Sequence, residues 1–344
     1  MPVRVALIGC GKITERLALP QLTRCPGAAA AALVDIDPRA AKRLAAQFEI
    51  HAPIWTDWKA MLREAEVDAV AVNLPNALHA EVTIAALKAG KHVLVEKPIA
   101  LTLAEADAMV EAARGSRRIL MVEQTQRFDP AHEAARELLL GGSLGPVTQL
   151  RGRIGHAGPE YWAGSQSSWL IDQRQSGGGA LMDVGIHIAD LLRWLSGKSV
   201  RRICCQAKTL QKHIAVEDNA SALLEFTDGT LGSFEVSWTT RPYEVATSFY
   251  GERGTLRTSI GSPTPVTVRY ADLDGDPNRL GEEAHPPVPA SSRLGGAYRS
   301  FVESIAAGTT PSVSGEEGRA TLEVILGAYE SIKTGGWVTL PLAR

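Results

Sequence analysis

Residues 3–14 read VRVALIGCGKIT. A short, mostly apolar run meets two glycines one residue apart, and a helix-like stretch begins at Thr14. Strand, glycine turn and helix in that order open a unit that binds dinucleotides. Gly9 and Gly11 let the chain turn tightly and let a pyrophosphate approach the backbone. The helix N-terminus that follows, with Lys12 and Ile13 in the same loop, faces the anion. The pattern G-x-G-x-x-[G/A] is met at its first two positions, and Thr14 stands at the third. A small residue there brings helix and sheet together, so looser packing is expected. Taken alone, a plain tight turn would read the same way. The second apolar run ends in Asp35. A carboxylate at that place accepts hydrogen bonds from ribose hydroxyls and repels a 2′-phosphate. Ile36 rather than an arginine follows it, then Asp37, so NAD is expected, while Arg39 keeps NADP possible.

From this start the alternation continues. Apolar strand-like runs at 3–8, 30–35, 69–73, 93–96 and 119–123 are separated by helical patterns at 14–24, 38–48, 58–65, 80–89 and 103–114. Short apolar strands between helices predict βαβ units, right-handed crossovers and a parallel sheet covered on both faces. After residue 124 the pattern changes. A helix at 131–140 ends at Gly141-Gly142, a C-terminal cap signal. Strand patterns follow at 221–226, 230–238, 246–250 and 255–259, the first two joined by an Asp228-Gly229 turn. Residues 261–296, rich in proline, glycine and acids, read as a long loop with at most short strands, and helices at 298–307 and 315–335 close the chain. The expected fold class is α/β, with a dinucleotide-binding domain over 1–123 and an α+β domain over 124–344 built on a large, mainly antiparallel open sheet.

The composition excludes several alternatives. The 344 residues are 45% hydrophobic and 22% charged with a formal net charge of −2, an ordinary globular balance with length for two domains. No basic stripe invites nucleic acid, and no apolar run approaches the ~20 residues that cross a bilayer. The first strand run begins almost at the first residue, so no signal peptide is expected. Cys10, Cys25, Cys204 and Cys205 form no C-x-x-C pair and no zinc spacing, so reduced thiols and a cytoplasmic location are expected.

Further stretches narrow the reading. Residues 73–99 read NLPNALHAEVTIAALKAGKHVLVEKPI and residues 176–192 read SGGGALMDVGIHIADLL. With QRFDP (126–130), VEDNASALLEFTDGTLG (216–232) and VSGEEGRATLEVILGAYES (313–331), they run along nearly the whole chain. On these motifs the chain resembles the glucose–fructose oxidoreductase / inositol dehydrogenase (Gfo/Idh/MocA) family. Glu96-Lys97-Pro98 and Asp183-x-x-x-His187 are the most specific elements. The resemblance implies an N-terminal Rossmann domain and a C-terminal domain whose open sheet builds oligomer interfaces, hence a homodimer or homotetramer. It implies a nicotinamide cofactor contacted by Asn73, Pro75, Asn76, His79, Glu96 and Lys97, and a sugar, polyol or cyclitol substrate. It also implies that Lys97, Asp183 and His187 act at the reacting carbon. Thr14 and Leu74 depart from the family pattern, Leu74 where many relatives carry a small residue or threonine.

The residues themselves support a chemistry. Lys97 ends the fourth of the five strand runs, and ligands of such sheets bind beyond the carboxyl ends of the strands. An ammonium there can hydrogen-bond a reacting hydroxyl and stabilise a developing alkoxide; a surface lysine in a βα loop is the competing reading. Asp183, His187, Asp190 and Trp194 step by helical spacings and share a face of an otherwise apolar helix, so they face a cavity or a buried network. The glycines at 177–179 are expected to let a ligand approach the backbone. Zinc would need three or four ligands, and one Asp with one His has no third partner, so no metal is expected. In the acid/base reading His187 takes the hydroxyl proton in oxidation and returns it in reduction, Asp183 orients the hydroxyl or stabilises the imidazolium, and Asp190 is structural. On the substrate side, Tyr161, Trp162 and Trp169 could stack on a sugar, His156 and Arg174 could bind hydroxyls or a charged group, and Gln126 and Arg127 could line the cleft. The expected function is hydride transfer between NAD(H) and a carbinol or carbonyl carbon of a sugar, polyol or cyclitol. The rivals are a reductase or sugar–sugar oxidoreductase with tightly bound cofactor, and a non-catalytic NAD sensor.

Overall fold

The computed structural model of the chain describes residues 1–343 apart from 275, 277, 293 and 294, and the backbone alone of 165–167. The described residues build two sheets. The first is parallel, with six strands: β1 (Val3–Ile8), β2 (Ala28–Val34), β3 (Ile54–Trp55), β4 (Ala69–Val72), β5 (His92–Glu96) and β6 (Leu120–Glu123). Their order is β3-β2-β1-β4-β5-β6. It reverses between β1 and β4, which opens a crevice beyond the strand ends at that point. β3 has only two residues, too few to show a pattern, so sequence reading finds five strands. Lys97 therefore follows the fifth strand, not the fourth.

The loosening expected at Thr14 takes a definite form. Thr14 is fully buried, and the helix opens with a wide i→i+5 segment, Thr14–Ala18, before Leu19–Thr23 continues as α-helix. The Thr14 hydroxyl donates to the Gly9 carbonyl and accepts from the Asn73 side-chain amide, so the larger residue stitches the glycine loop to the end of β4.

The second sheet has nine strands: β7 (Val147–Gly155), β8 (Val200–Lys208), β9 (Asn219–Phe226), β10 (Leu231–Ser237), β11 (Glu244–Gly251), β12 (Gly254–Ser259), β13 (Val266–Ala271), β14 (Leu280–Ala284) and β15 (Val338–Thr339). β7 and β10 pair in parallel and the other neighbours are antiparallel. β13 and β14 fall inside the acidic, proline-rich 261–296 stretch and extend the sheet at one edge. Leu150, Ile203, Leu224, Phe234 and Phe249 are buried on one face, while Arg151, Leu223, Leu231 and Glu235 on the other are exposed.

The end of the chain returns to the first sheet. The Val122 amide donates to the Val313 carbonyl, Met121 bridges Ser314, and the helix Gly315–Thr334 packs on both β6 and β8. A buried ion pair secures this junction. Arg127, expected in the cleft, instead points into the core at 2% exposure. Its guanidinium donates twice to fully buried Asp190 at 2.6 Å, to the Ser312 carbonyl at 3.1 Å and to Glu317 at 3.0 Å. The Thr321 hydroxyl adds a bond to Asp190 at 3.1 Å. Asp190→Ala leaves the buried guanidinium only Glu317 and the Ser312 carbonyl and is expected to destabilise the fold towards the low end of roughly 3–5 kcal/mol. Urea denaturation checks this, and a loss within ~0.5 kcal/mol of zero, the size of an ordinary surface change, would show that the pair carries little.

Candidate active site

The site begins at the glycine loop. Gly9 adopts φ +95°, and a Cβ on it would stand 2.1 Å from the Asn73 carbonyl oxygen, so only glycine fits this turn. The Asp35 carboxylate accepts from the amides of Cys10 at 2.8 Å and Asp37 at 2.9 Å, which holds it beside the loop. From here a cavity of about 580 Å³ runs to Lys97 and Asp183. Gly9, Gly11, Lys12, Ile13, Asp35, Asn73, Pro75, Asn76, Glu96 and Lys97, all expected at a cofactor, line it. Asn76 also ties the two halves together by donating to the Ser176 carbonyl at 2.8 Å. His79 does something else. It is fully buried, and its ring nitrogens sit 2.8 Å from the Pro98 carbonyl and 2.9 Å from the Leu74 carbonyl. Burial keeps the ring neutral, so its one N–H donates to one of these carbonyls while the ring lies against the other; His79 sits between the two loops that flank the cavity and does not line it.

At the far end Lys97 and Asp183 meet across the two halves of the chain. The Lys97 ammonium donates to Asp183 Oδ1 at 2.7 Å and to the Asp183 carbonyl at 2.8 Å. The Trp238 indole N–H donates to Oδ2 at 3.0 Å, and His156 Nε2 lies 3.5 Å from the same oxygen. His156 Nδ1 accepts from the Gly158 amide at 2.9 Å, which puts its proton on Nε2, towards the carboxylate. Burial opposes the charge on Asp183, but Lys97 and His156 outweigh it and hold the carboxyl well below the usual range. His187 Nδ1 lies 3.0 Å from Gln124 Oε1 and donates to it, so the lone pair is on Nε2. Burial first, then the Lys97 charge, pushes His187 down to about 3, so its imidazole is neutral.

Several expectations change here. Asp183 lies in a wide segment, Leu181–Gly185, ahead of the α-helix Ile186–Ser196, so α-helical spacing does not carry through to it. The glycines before it make room for protein, not only for ligand. A Cβ on Gly178 would stand 1.8 Å from the Tyr329 hydroxyl, and one on Gly179 would stand 2.0 Å from the Glu217 carbonyl oxygen. Glu217 in turn accepts from the amides of Gly179 and Leu181 and from Tyr329, fixing the helix start. Trp162 and Trp169 line the cavity, whereas Tyr161 faces outward under Arg241 and Lys212. Arg174 is exposed and turned to Asp172. Gln126 reaches the Tyr243 hydroxyl at 3.5 Å. Sequence reading missed Trp238 and Gln124, since nothing near either residue marks a contact with Asp183 or His187.

The cradle at Gly9, which a side chain would fill, and the carboxylate beside it fit a dinucleotide. The description "Oxidoreductase family, NAD-binding Rossmann fold" matches residues 3–124, and "GFO/IDH/MocA C-terminal domain" matches 132–257. The chain belongs to the Gfo/Idh/MocA family of oxidoreductases. It is similar to a 1,5-anhydro-D-fructose reductase of Ensifer adhaerens, 30% identical over 81% of this chain and 82% of that one. It is also similar to inositol 2-dehydrogenase 2 of Saccharopolyspora erythraea, 29% identical over 100% and 97%. In fold it matches a levoglucosan dehydrogenase solved with NADH and levoglucosan, with a TM-score of 0.87, 23% identity and coverage of 99% and 100%. As a family member it is an oxidoreductase that works with a nicotinamide cofactor. Among the described residues no helix is long and apolar enough to cross a membrane.

The Trp238 bond to a buried carboxylate is of the kind worth about 1.5–3 kcal/mol. Trp238→Phe is expected to lower turnover about tenfold or more while leaving NADH affinity, read by cofactor fluorescence, nearly unchanged. Unaltered turnover would remove Trp238 from the site.

Proposed function

We propose that the protein moves hydride between NAD(H) and a carbinol or carbonyl carbon of a sugar, polyol or cyclitol, with Lys97, Asp183 and His187 at the reacting carbon. The observation that carries this reading is the Lys97–Asp183 pair at 2.7 Å, which closes the end of a dinucleotide-sized cavity walled by Trp162 and Trp169. Bound NAD supplies the hydride acceptor or donor. Lys97 donates to the reacting oxygen and stabilises its negative charge as it develops. Asp183, locked ionised by Lys97, Trp238 and His156, orients that ammonium. His187 presents an unprotonated Nε2 and accepts the hydroxyl proton in oxidation, with Gln124 holding the ring. The aromatic walls favour the apolar face of a ring, and the relatives named above act on anhydro-sugars and inositol. His156, expected to touch substrate, serves Asp183 in this reading.

Asp35 supports NAD over NADP, because a second charge placed against its carboxylate is repelled. The four cysteines are free, three of them buried, which supports a reducing compartment such as the cytoplasm. The exposed face of the second sheet, with Leu223 and Leu231 each 55% exposed, supports a homodimer or homotetramer formed through that face.

The test is to mix the protein with NAD⁺ and a panel of polyols, cyclitols and sugars and to follow the absorbance of the reduced cofactor. Lys97→Met and His187→Ala are each expected to lower kcat/KM at least about a hundredfold with NAD⁺ affinity retained. NAD⁺ binding without turnover on any member of the panel would instead favour a sensor. The pH dependence has a definite sign. His187 stays neutral down to about 3, so its acceptor role persists as pH falls through the ordinary histidine range. At saturating NAD⁺, oxidation is expected to show no acid limb centred near 6.5, the ordinary histidine value; such a limb that disappears in His187→Gln would overturn this. Asp35→Ala is expected to weaken NAD more than NADP, measured as the ratio of their Kd values.

A further inference from the structure

The chemistry above leaves a buried acid pair unused. Glu96 ends β5 and Glu123 ends β6, and the two are register partners in the parallel sheet. Glu123 is 1% exposed and Glu96 7%, and Glu96 lines the cavity beside Lys97. As register partners on adjacent parallel strands, the two side chains project from the same face of the sheet. Gln21 donates to Glu123 Oε1 at 3.2 Å and the Lys97 amide donates to Glu96 Oε2 at 3.1 Å. The remaining oxygens, Glu96 Oε1 and Glu123 Oε2, meet no donor among the described residues. Two ionised carboxylates are acceptors only, and a proton on either supplies the missing donor.

The charged and titratable groups around the pair relieve it only in part: the Lys97 charge draws Glu96 down, but not enough to offset burial. The Lys97 ammonium is engaged by Asp183, Asp183 itself is negative, and Tyr298, fully buried on the helix Ala297–Ala307, is uncharged. Adjacent buried carboxyls resist double ionisation. In keeping with this, burial pushes Glu96 up to about 7, and burial with the Glu96 charge holds Glu123 well above the usual carboxylate range.

We propose that Glu96 and Glu123 form a proton site linked to the oxidation state of the cofactor: the pair keeps a proton when the site is empty or holds NADH, and releases it to solvent when NAD⁺ binds. This rests on the reading that hydride exchange takes place beside Lys97. NADH and NAD⁺ share their phosphates and riboses and differ in the charge of the nicotinamide ring. A cation placed beside a buried carboxyl favours its ionised form. Release of a proton on binding makes affinity for NAD⁺ rise with pH, by up to about tenfold per pH unit, while affinity for NADH stays level.

The experiment is isothermal titration calorimetry of NAD⁺ and of NADH into the whole protein at pH 7, in two buffers of different ionisation enthalpy. The slope of heat against buffer enthalpy counts protons. NAD⁺ is expected to release up to about one proton more than NADH. Lys97→Arg, which keeps the charge and cannot lose its proton, is expected to preserve that difference. Glu123→Gln and Glu96→Gln are each expected to abolish it. An equal count for the two cofactors in the unmodified protein overturns the proposal, as does a difference that survives both glutamine variants or disappears in Lys97→Arg. The unmodified protein and Lys97→Arg can still overturn the proposal even if neither glutamine variant folds. Failure of NAD⁺ to bind would count against the functional reading, whereas binding without extra proton release counts against the acid pair alone.

Discussion

The ion pair between Lys97 and Asp183 joins what the two halves of the chain contribute. The lysine comes from the end of β5 in the parallel sheet, and the aspartate comes from a helix start in the second half. At 15% and 9% side-chain exposure, the two charges have left most of their water behind. A buried pair of this kind gives little net stability, because the desolvation of both ions offsets their attraction. Two well-packed apolar side chains would hold the halves together as firmly. What they would not do is keep an oriented ammonium at the end of a cavity, and that function accounts for the pair. Its surroundings fit this: every donor around Asp183 is placed to keep it ionised, so that Lys97 stays where it is.

The rest of the scaffold serves to keep this joint still. The Asn76 bond to Ser176, the Glu217 anchor at the helix start and the Arg127–Asp190–Glu317 cluster each bridge segments far apart in sequence. The returning C-terminal helix packs on both sheets and makes them one body. Such polar junctions specify a geometry more sharply than apolar contact does, because each donor must meet its acceptor.

Much of the fold was legible because it is written in local periodicity. The five longer strands of the first sheet, the glycine loop and the closing helices all carry patterns several residues long. β3 has two residues and left no pattern, and β13 and β14 were hidden by the proline, glycine and acidic residues around them. Single side chains were harder. Lys97, Asp183 and His187 stand out through their motifs, whereas the burial of Arg127 and the exposure of Arg174 leave no local trace, because a charged residue near a cleft reads the same whether it faces inward or outward. His79 lies in a cofactor motif and yet is buried between two loop carbonyls. Trp238 and Gln124 act on residues 55 and 63 positions away, and no local signal carries such a contact.

The electrostatics of the site follow from the burial of its charged groups. Lys97 and Asp183 cancel each other, and His187 remains neutral because burial, and then the Lys97 charge beside it, disfavours an imidazolium. The fixed groups therefore sum to nearly zero, and a change in cofactor charge is met by a group that can still change its own. His187 resists protonation, Asp183 is held ionised, and Tyr298 is pushed far up by burial. The acid pair at the ends of β5 and β6 is different, because its two carboxyls already compete for a proton. A site built to hold one charge pair rigid thus leaves its neighbouring carboxyls as the place where proton and hydride chemistry can be coupled.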